Sequence, residues 1–258
     1  LTTRKDADVF SLSIKSALRH LVDVGIIYVV TPDAGELSAK MHGLGPRVKF
    51  VNEAIFNFTG DQVVDTMYNA VKTRGQYPLD SGKSPFERVL YSKIGWFLQQ
   101  LLKIYSGRVL NLEDFVLLDS DVIWYRDIKL IAKDEKPLRT FYYATSTQYH
   151  PSYVSTMRKI AGVKPVQGEE RPGNFRSGVV HHLSISRVIL EDLFKTAEEM
   201  HPGMQMWEIL LTEGALEMTC RAPRGAICGA GSTLSEYELY FGFARKKYPQ
   251  TVEFRPLM

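Results

Sequence analysis

The sequence predicts an α/β fold: a single domain with a central, mostly parallel sheet flanked by helices. Three observations carry this. Apolar strand-like runs alternate with amphipathic helical stretches through the first half, the pattern of sheets whose strands are joined by helical crossovers. The run Phe115-Val116-Leu117-Leu118 is uninterrupted by polar residues, as expected of a strand covered on both faces. That run stops at Asp119-Ser120-Asp121, and strand C-termini are where open α/β sheets hold their ligands.

The elements follow in order. Residues 6–22 place Val9, Phe10, Ile14, Ala17, Leu18 and Leu21 at helical spacing. Gly25 ends that helix, and Ile26-Ile27-Tyr28-Val29-Val30 reads as a buried strand closed by Thr31-Pro32-Asp33. A weaker helix precedes a second short strand, Val48-Lys49-Phe50-Val51. Residues 76–86, rich in Pro, Gly, Ser and Asp, form an exposed loop before a long helix over 86–105. Beyond the Asp-Ser-Asp turn, Phe141-Tyr142-Tyr143-Ala144 and Val179-Val180-His181-His182-Leu183 are two more strands, with a helix over 153–160 between them. Ser186 N-caps a helix reaching residue 200. Residues 221–232 form a Gly-rich loop, and a last helix over 235–247 is stopped by Pro249.

Composition sets bounds. The 258 residues, 45% hydrophobic and 24% charged, suffice for one sizeable core. A net charge of +3 gives no footprint for nucleic acid, so no nucleic-acid partner is expected. No apolar run approaches the roughly 18 residues of a membrane span, and no signal peptide is visible. A cytoplasmic setting is expected, with an upstream anchor or leader left open. Cys220 and Cys228 match no zinc spacing; free thiols and a single bridge across the Gly-rich loop are the two alternatives.

The chemistry centres on the turn. Two carboxylates at a strand end repel each other and resist desolvation. A hard divalent cation relieves both strains. Asp119 and Asp121 are therefore candidate ligands for Mg2+ or Mn2+ bridging a diphosphate, where the metal would neutralise charge on a departing nucleoside diphosphate. Asp-x-Asp alone often only caps a turn; the apolar run before it and Val122-Ile123-Trp124 after it favour the functional reading.

These residues carry a resemblance. The segment FVLLDSDVIWYRDI is similar to the DxD strand of glycosyltransferases of the GT-A fold. Together with GWFLQQLLKIY before it, and FRSGVVHHLSISRVILEDL and SEYELYFGF after it, it resembles a little-characterised family of bacterial and viral glycosyltransferase-like proteins. The likeness runs from Thr2 to about Arg255. It implies a metal-dependent hexosyl- or pentosyltransferase. Such an enzyme moves a sugar from a nucleoside-diphosphate sugar, UDP ahead of GDP, to a glycan or other hydroxyl acceptor. About 1–130 would form the donor half and about 131–258 the acceptor half.

The resemblance also implies that Thr2, Thr3 and Arg4 line the base and ribose, in the loop after a first strand. Almost none of that strand is present: either it lies upstream, or Leu1 is its last residue. Asp121 would be the direct metal ligand, Asp119 would hold ribose or metal-bound water, and Ser120 would lie with them against the donor. On the long helix, Lys93 and Gln100 are placed to meet phosphate or sugar hydroxyls, with Trp96 and Lys103 on the same side. Solvated lysines and a core Trp96 are the plainer alternatives.

A third metal ligand in this fold is often histidine, and the chain has 6. His20 and His42 read as surface residues. His150 follows a polar stretch and is a candidate for the donor sugar or acceptor. His181 and His182 adjoin on a predicted strand, so one faces each way; His182 is the candidate for the cleft. No histidine follows His201, so the family's metal ligand near the C-terminus is absent, leaving positions for diphosphate oxygens and water. Ser177 and Asn174 are candidates for sugar hydroxyls, and Gly178 would allow close approach of backbone to ligand. Trp207 is assigned to the acceptor side by position. Ser235 to Glu238 fits a capping box, which accounts for Ser235 and Glu238 but not Glu236. An inverting transferase needs a carboxylate base, so Glu236 and Glu238 are the catalytic candidates; a retaining one needs none. The Gly-rich loop before them is a candidate lid.

Three rival readings remain; one, a nucleotidyltransferase, lacks a Gly-rich phosphate loop following a first strand. A haloacid-dehalogenase-type phosphatase would use Asp119 as nucleophile, but its later acidic pair is not found downstream. A non-enzymatic carbohydrate-binding module would suit the 13 Tyr, 13 Phe and 3 Trp, but not the alternation of helix and strand.

Overall fold

The computed structural model describes residues 7–22, 24–74, 85–132, 138–169, 173–219 and 232–255. The first unit is a helix and a βαβ crossover. Helix α1 (Ala7–His20) buries Phe10, Ile14 and Ala17 at helical spacing, while Val9 and Leu12 face outward. Strand β1 (Ile27–Thr31) pairs in parallel with β2 (Val48–Asn52), from Ile27 opposite Val48 to Thr31 opposite Asn52. Helix α2 (Ala34–Lys40) makes the connection that parallel pairing requires.

Helices then dominate. Helix α3 (Gly60–Thr73) starts with a complete capping box between Thr59 and Gln62. It packs on α4 (Pro85–Val109) and α7 (Met206–Thr219). Helix α7 is buried along nearly its whole length, Glu213 and Glu217 included. A helix buried all round has no polar face and so no amphipathic period. Helical periodicity therefore does not mark it in the sequence.

Strand β3 (Asp114–Leu118) leads into the Asp-Ser-Asp turn and pairs antiparallel with β5 (His182–Ser186), Leu118 opposite His182. Strand β4 (Phe141–Tyr143) pairs in parallel with β6 (Val252–Phe254). Tyr142 N–H donates to Leu130 O (2.9 Å) and Tyr143 Oη–H to Ser184 O (2.9 Å), tying this ladder to β5. Helices α5 (Pro151–Ala161), α6 (Arg187–Met200) and α8 (Glu236–Lys247) complete the order. Ser186 holds the N-cap position of α6, but its side chain makes no capping bond.

The fold is mixed α/β, and two finer expectations are corrected. The described strands form three two-stranded ladders, two parallel and one antiparallel, where one continuous, mostly parallel sheet was expected. Strand β3 alternates in burial: Phe115 and Leu117 are buried, Val116 and Leu118 only half so. An apolar crevice of about 520 Å³ opens between β1 and β3, which explains the half-exposed face.

The main core joins α3 and α4 to α5–α8 through Phe97, Leu101, Ile160, Phe194, Leu210 and Phe241. Helix α8 is locked onto β5 by Tyr240, whose hydroxyl accepts from Ser186 N–H at 2.8 Å. Phe115 and Leu117 carry β3 to the rim of this core. Among the described residues no helix is long and apolar enough to cross a membrane.

Candidate active site

The β3–β5 ladder runs one step past its strands: Asp119 N–H donates to His181 O at 3.0 Å. This bond draws the Asp-Ser-Asp turn against the residues just before β5. Asp119 Oδ1 accepts from Lys103 Nζ (2.8 Å) and Tyr237 Oη–H (2.9 Å), while Oδ2 lies 3.2 Å from His181 Nδ1. Burial pushes the Asp119 carboxyl up, but the Lys103 charge and the bonds from Lys103, Tyr237 and His181 outweigh it. The net effect holds Asp119 below its ordinary value, and so ionised at neutral pH.

Asp121 is exposed on the same turn. Asp119, Asp121 and His181 each present one ligand atom, all within 4.8 Å of one another. A cation bonded at about 2.1–2.5 Å spreads its ligands over roughly 3–5 Å, so the donor set fits a small divalent ion. Two carboxylate oxygens and one imidazole suit Mn2+ or Mg2+.

His181 has φ 68°; the other described non-glycine residues with positive φ are Asn57 and Asn111. Asparagine and histidine both enter that region more readily than most residues, and at His181 it turns the chain just ahead of β5. The imidazole lies against Asp119 with its side chain 73% exposed. Strand alternation points to His182 instead. Alternation does not apply, because the strand begins at His182. His182 is buried and meets Trp124 edge-on at 5.2 Å; burial lowers its pKa, opposed by a bond with the Val180 backbone.

A second layer fixes the first. Lys103, 6% exposed, sets Nζ 2.8 Å from both Asp119 Oδ1 and Glu236 Oε1, and 3.4 Å from Tyr237 Oη. Burial alone would lower its pKa, but the Glu236 and Asp119 charges prevail and raise it. Lys103 is therefore a buried ammonium between two acids, not a solvated helix charge. Glu236 Oε1 is a buried atom, and Lys103 Nζ is the cation that meets it. Gln100 Oε1 accepts from Glu236 N–H (2.9 Å), and Trp96 Nε1–H donates to Leu234 O (3.3 Å). Trp96, Gln100 and Lys103 thus form one stripe of α4 that seats the start of α8.

Glu238 faces the other way. Its Oε2 accepts from Ser177 Oγ–H at 2.6 Å, and its carboxylate also takes a bond from Gly178 N–H. Ser235 caps α8 by accepting from Glu238 N–H (3.2 Å), but the Glu238 carboxylate goes to Ser177 and does not close the capping box. Burial pushes Glu238 up to about 7, against these bonds and the Arg245 charge. A carboxyl raised in the fold stabilises it below the unfolded value, and that contribution fades as pH rises through the folded value. Stability should therefore fall between about pH 4.5 and 7 on this account. Glu238→Gln should flatten that slope and gain on the order of 3 kcal/mol above neutrality. Urea titrations of both proteins at pH 5 and pH 8 read this directly; an unchanged pH slope would remove Glu238 as its source.

The remaining sequence candidates divide. Ser177 is fully buried and exchanges backbone bonds with Ser146, so it braces Glu238. A Cβ on Gly178 would sit 2.6 Å from Phe241 Cβ; the glycine admits α8, a packing reason where a ligand was expected. Trp207 packs on Phe58 and its backbone N–H donates to Tyr105 Oη (3.1 Å), anchoring the start of α7. His150 is exposed and its ring lies 4.8 Å from that of Tyr153. Lys93 is half-buried on α4, about 15 Å along the axis from Lys103. Ser120 is half-buried in the turn and lines the β1–β3 crevice. Thr2, Thr3, Arg4, Cys220, Cys228 and loop residues 221–231 lie outside the described residues.

A family model described as a family of unknown function, DUF6492, matches residues 61–251. The chain belongs to this family. The matched span holds Lys103, Asp119, Asp121, His181, Glu236 and Tyr237, the whole of the candidate centre and its supports. No curated protein and no solved structure matches the chain.

Proposed function

We propose that this DUF6492 protein is a metal-dependent glycosyltransferase using a nucleoside-diphosphate sugar, with UDP as the favoured nucleotide. The observation that carries the reading is the convergence of Asp119, Asp121 and the left-handed His181 at the end of β3. Mn2+ or Mg2+ held there would act as a Lewis acid that neutralises charge on the leaving diphosphate. Asp121 and His181, both exposed, offer themselves as direct ligands. Asp119 is oriented from behind by Lys103 and Tyr237 and presents Oδ2 to the site. Glu236 fixes Lys103, and so acts on the site through it. A general base must touch the acceptor hydroxyl. Glu236 and Glu238 are each only 3% exposed, which favours positioning roles for both and a retaining outcome over an inverting one.

The test is a panel of nucleotide sugars with Mn2+ and Mg2+, read by thermal shift and by donor hydrolysis. A UDP-sugar with Mn2+ at about 100 times its Kd should add about 2.7 kcal/mol of stability, and EDTA should remove the shift. Silence of every nucleotide sugar at millimolar concentration with both metals would refute the reading.

A further inference from the structure

A second cavity, of about 350 Å³, adjoins the candidate metal centre, whose Asp121 and His181 help to line it. Its walls include Asp121, Trp124, Arg126, Tyr142, His182 and Arg255. Its volume is at the lower end of small-molecule sites, about 300–1,000 Å³, so it suits a ligand of monosaccharide size. Trp124 and Tyr142 give it aromatic walls, and aromatic rings offer an apolar face with a polar edge. The indole N–H of Trp124 has no acceptor.

The arginines set the charge of the ligand. Arg255 stacks on Tyr142, its guanidinium carbon 3.4 Å from the ring centroid, and donates from Nη1 to Lys129 O at 2.8 Å. The guanidinium is thereby held rigidly, with donors left over. Arg126 is exposed at the rim, 5.5 Å from the Tyr125 ring. Among the described residues no carboxylate forms an ion pair with either arginine. A fixed guanidinium without an acid partner is suited to a planar or tetrahedral anion.

We infer that this cavity binds the acceptor, and that the acceptor is a sugar bearing an anionic group, a carboxylate or a phosphate, read by Arg255 and Arg126. The acceptor role rests on the glycosyltransferase reading above; the anionic-sugar site does not.

Equilibrium binding by calorimetry and tryptophan fluorescence tests it, with glucuronate, glucose 6-phosphate and methyl glucoside as probes. Each is titrated into the full chain with EDTA, and again with Mg2+ and UDP. At least one anionic probe should bind roughly tenfold or more tighter than methyl glucoside, the scale of one charge-assisted bond. Which one binds separates carboxylate from phosphate. Arg255→Gln should abolish the preference. Arg126→Gln, at an exposed position where folding is not at stake, should reduce it. Equal binding of charged and neutral probes, or a preference surviving both substitutions, would overturn the inference. UDP with Mg2+ binding while anionic sugars show no preference would sink the cavity and leave the transferase reading standing. Anionic sugars binding through Arg255 while UDP never binds would keep the site and remove the transferase reading.

Discussion

Asp121→Ala is expected to abolish metal-dependent nucleotide binding while leaving the fold intact. Asp121 is exposed, and in the absence of metal it sits beside the ionised Asp119. Removing it relieves a like-charge contact and breaks no packing, so the melting temperature without ligand should hold or rise slightly. Loss of a group that merely orients a metal ligand costs about 10–100-fold in affinity, so losing a ligand itself should cost at least about 100-fold. Calorimetric titration of Mn2+ and UDP into wild type and variant measures the ratio. A variant within about threefold of wild type would remove Asp121 from the centre.

The largest effect on stability is expected at Lys103. Its ammonium is shared between Asp119, whose side chain is 25% exposed, and Glu236, 4% exposed. Lys103→Met leaves two carboxylates without their cation, and breaking a buried pair from one side costs about 3–5 kcal/mol. The signs follow from the shifts. Lys103 is raised above its ordinary 10.5, so its contribution is complete below that value and lost only as pH climbs through the higher folded value. Asp119 is lowered below 3.8, so its contribution is present above that value and lost as pH falls through the lower one. Wild type therefore keeps the pair throughout the neutral range. The deficit of the variant should be greatest near pH 7 and shrink on acidification, as its uncompensated acids take up protons. Urea unfolding at pH 7 and pH 4 tests this; a loss below about 1 kcal/mol at pH 7 would show that the pair is solvent-screened after all.

What was legible in the sequence depended on local pattern. The Asp-Ser-Asp turn stands out because four apolar residues run straight into two acids, and the structure sets both beside His181, a third candidate ligand. Helices α1, α4, α5, α6 and α8 announced themselves by apolar spacing or caps. Helix α7 did not, because burial on all sides removes the period. The partner of β3 was out of reach: its antiparallel pairing with β5 joins Asp114 to Ser186, far away in the chain. The placing of His181 is hidden for the same reason, since it follows from where β5 begins and from one left-handed residue. Lys103, Gln100 and Trp96 were visible as a stripe of α4. Only the docking of α8 turned that stripe from a solvent face into the support of Asp119.

The most direct test of the metal centre is a crystal structure of the chain grown with Mn2+ and UDP, with data collected at the manganese edge. The account predicts an anomalous peak about 2.0–2.3 Å from an Asp121 carboxylate oxygen and from His181 Nδ1, with diphosphate oxygens completing the shell. A saturated crystal with manganese bound elsewhere, or with UDP bound and no metal at Asp119, Asp121 and His181, would contradict it.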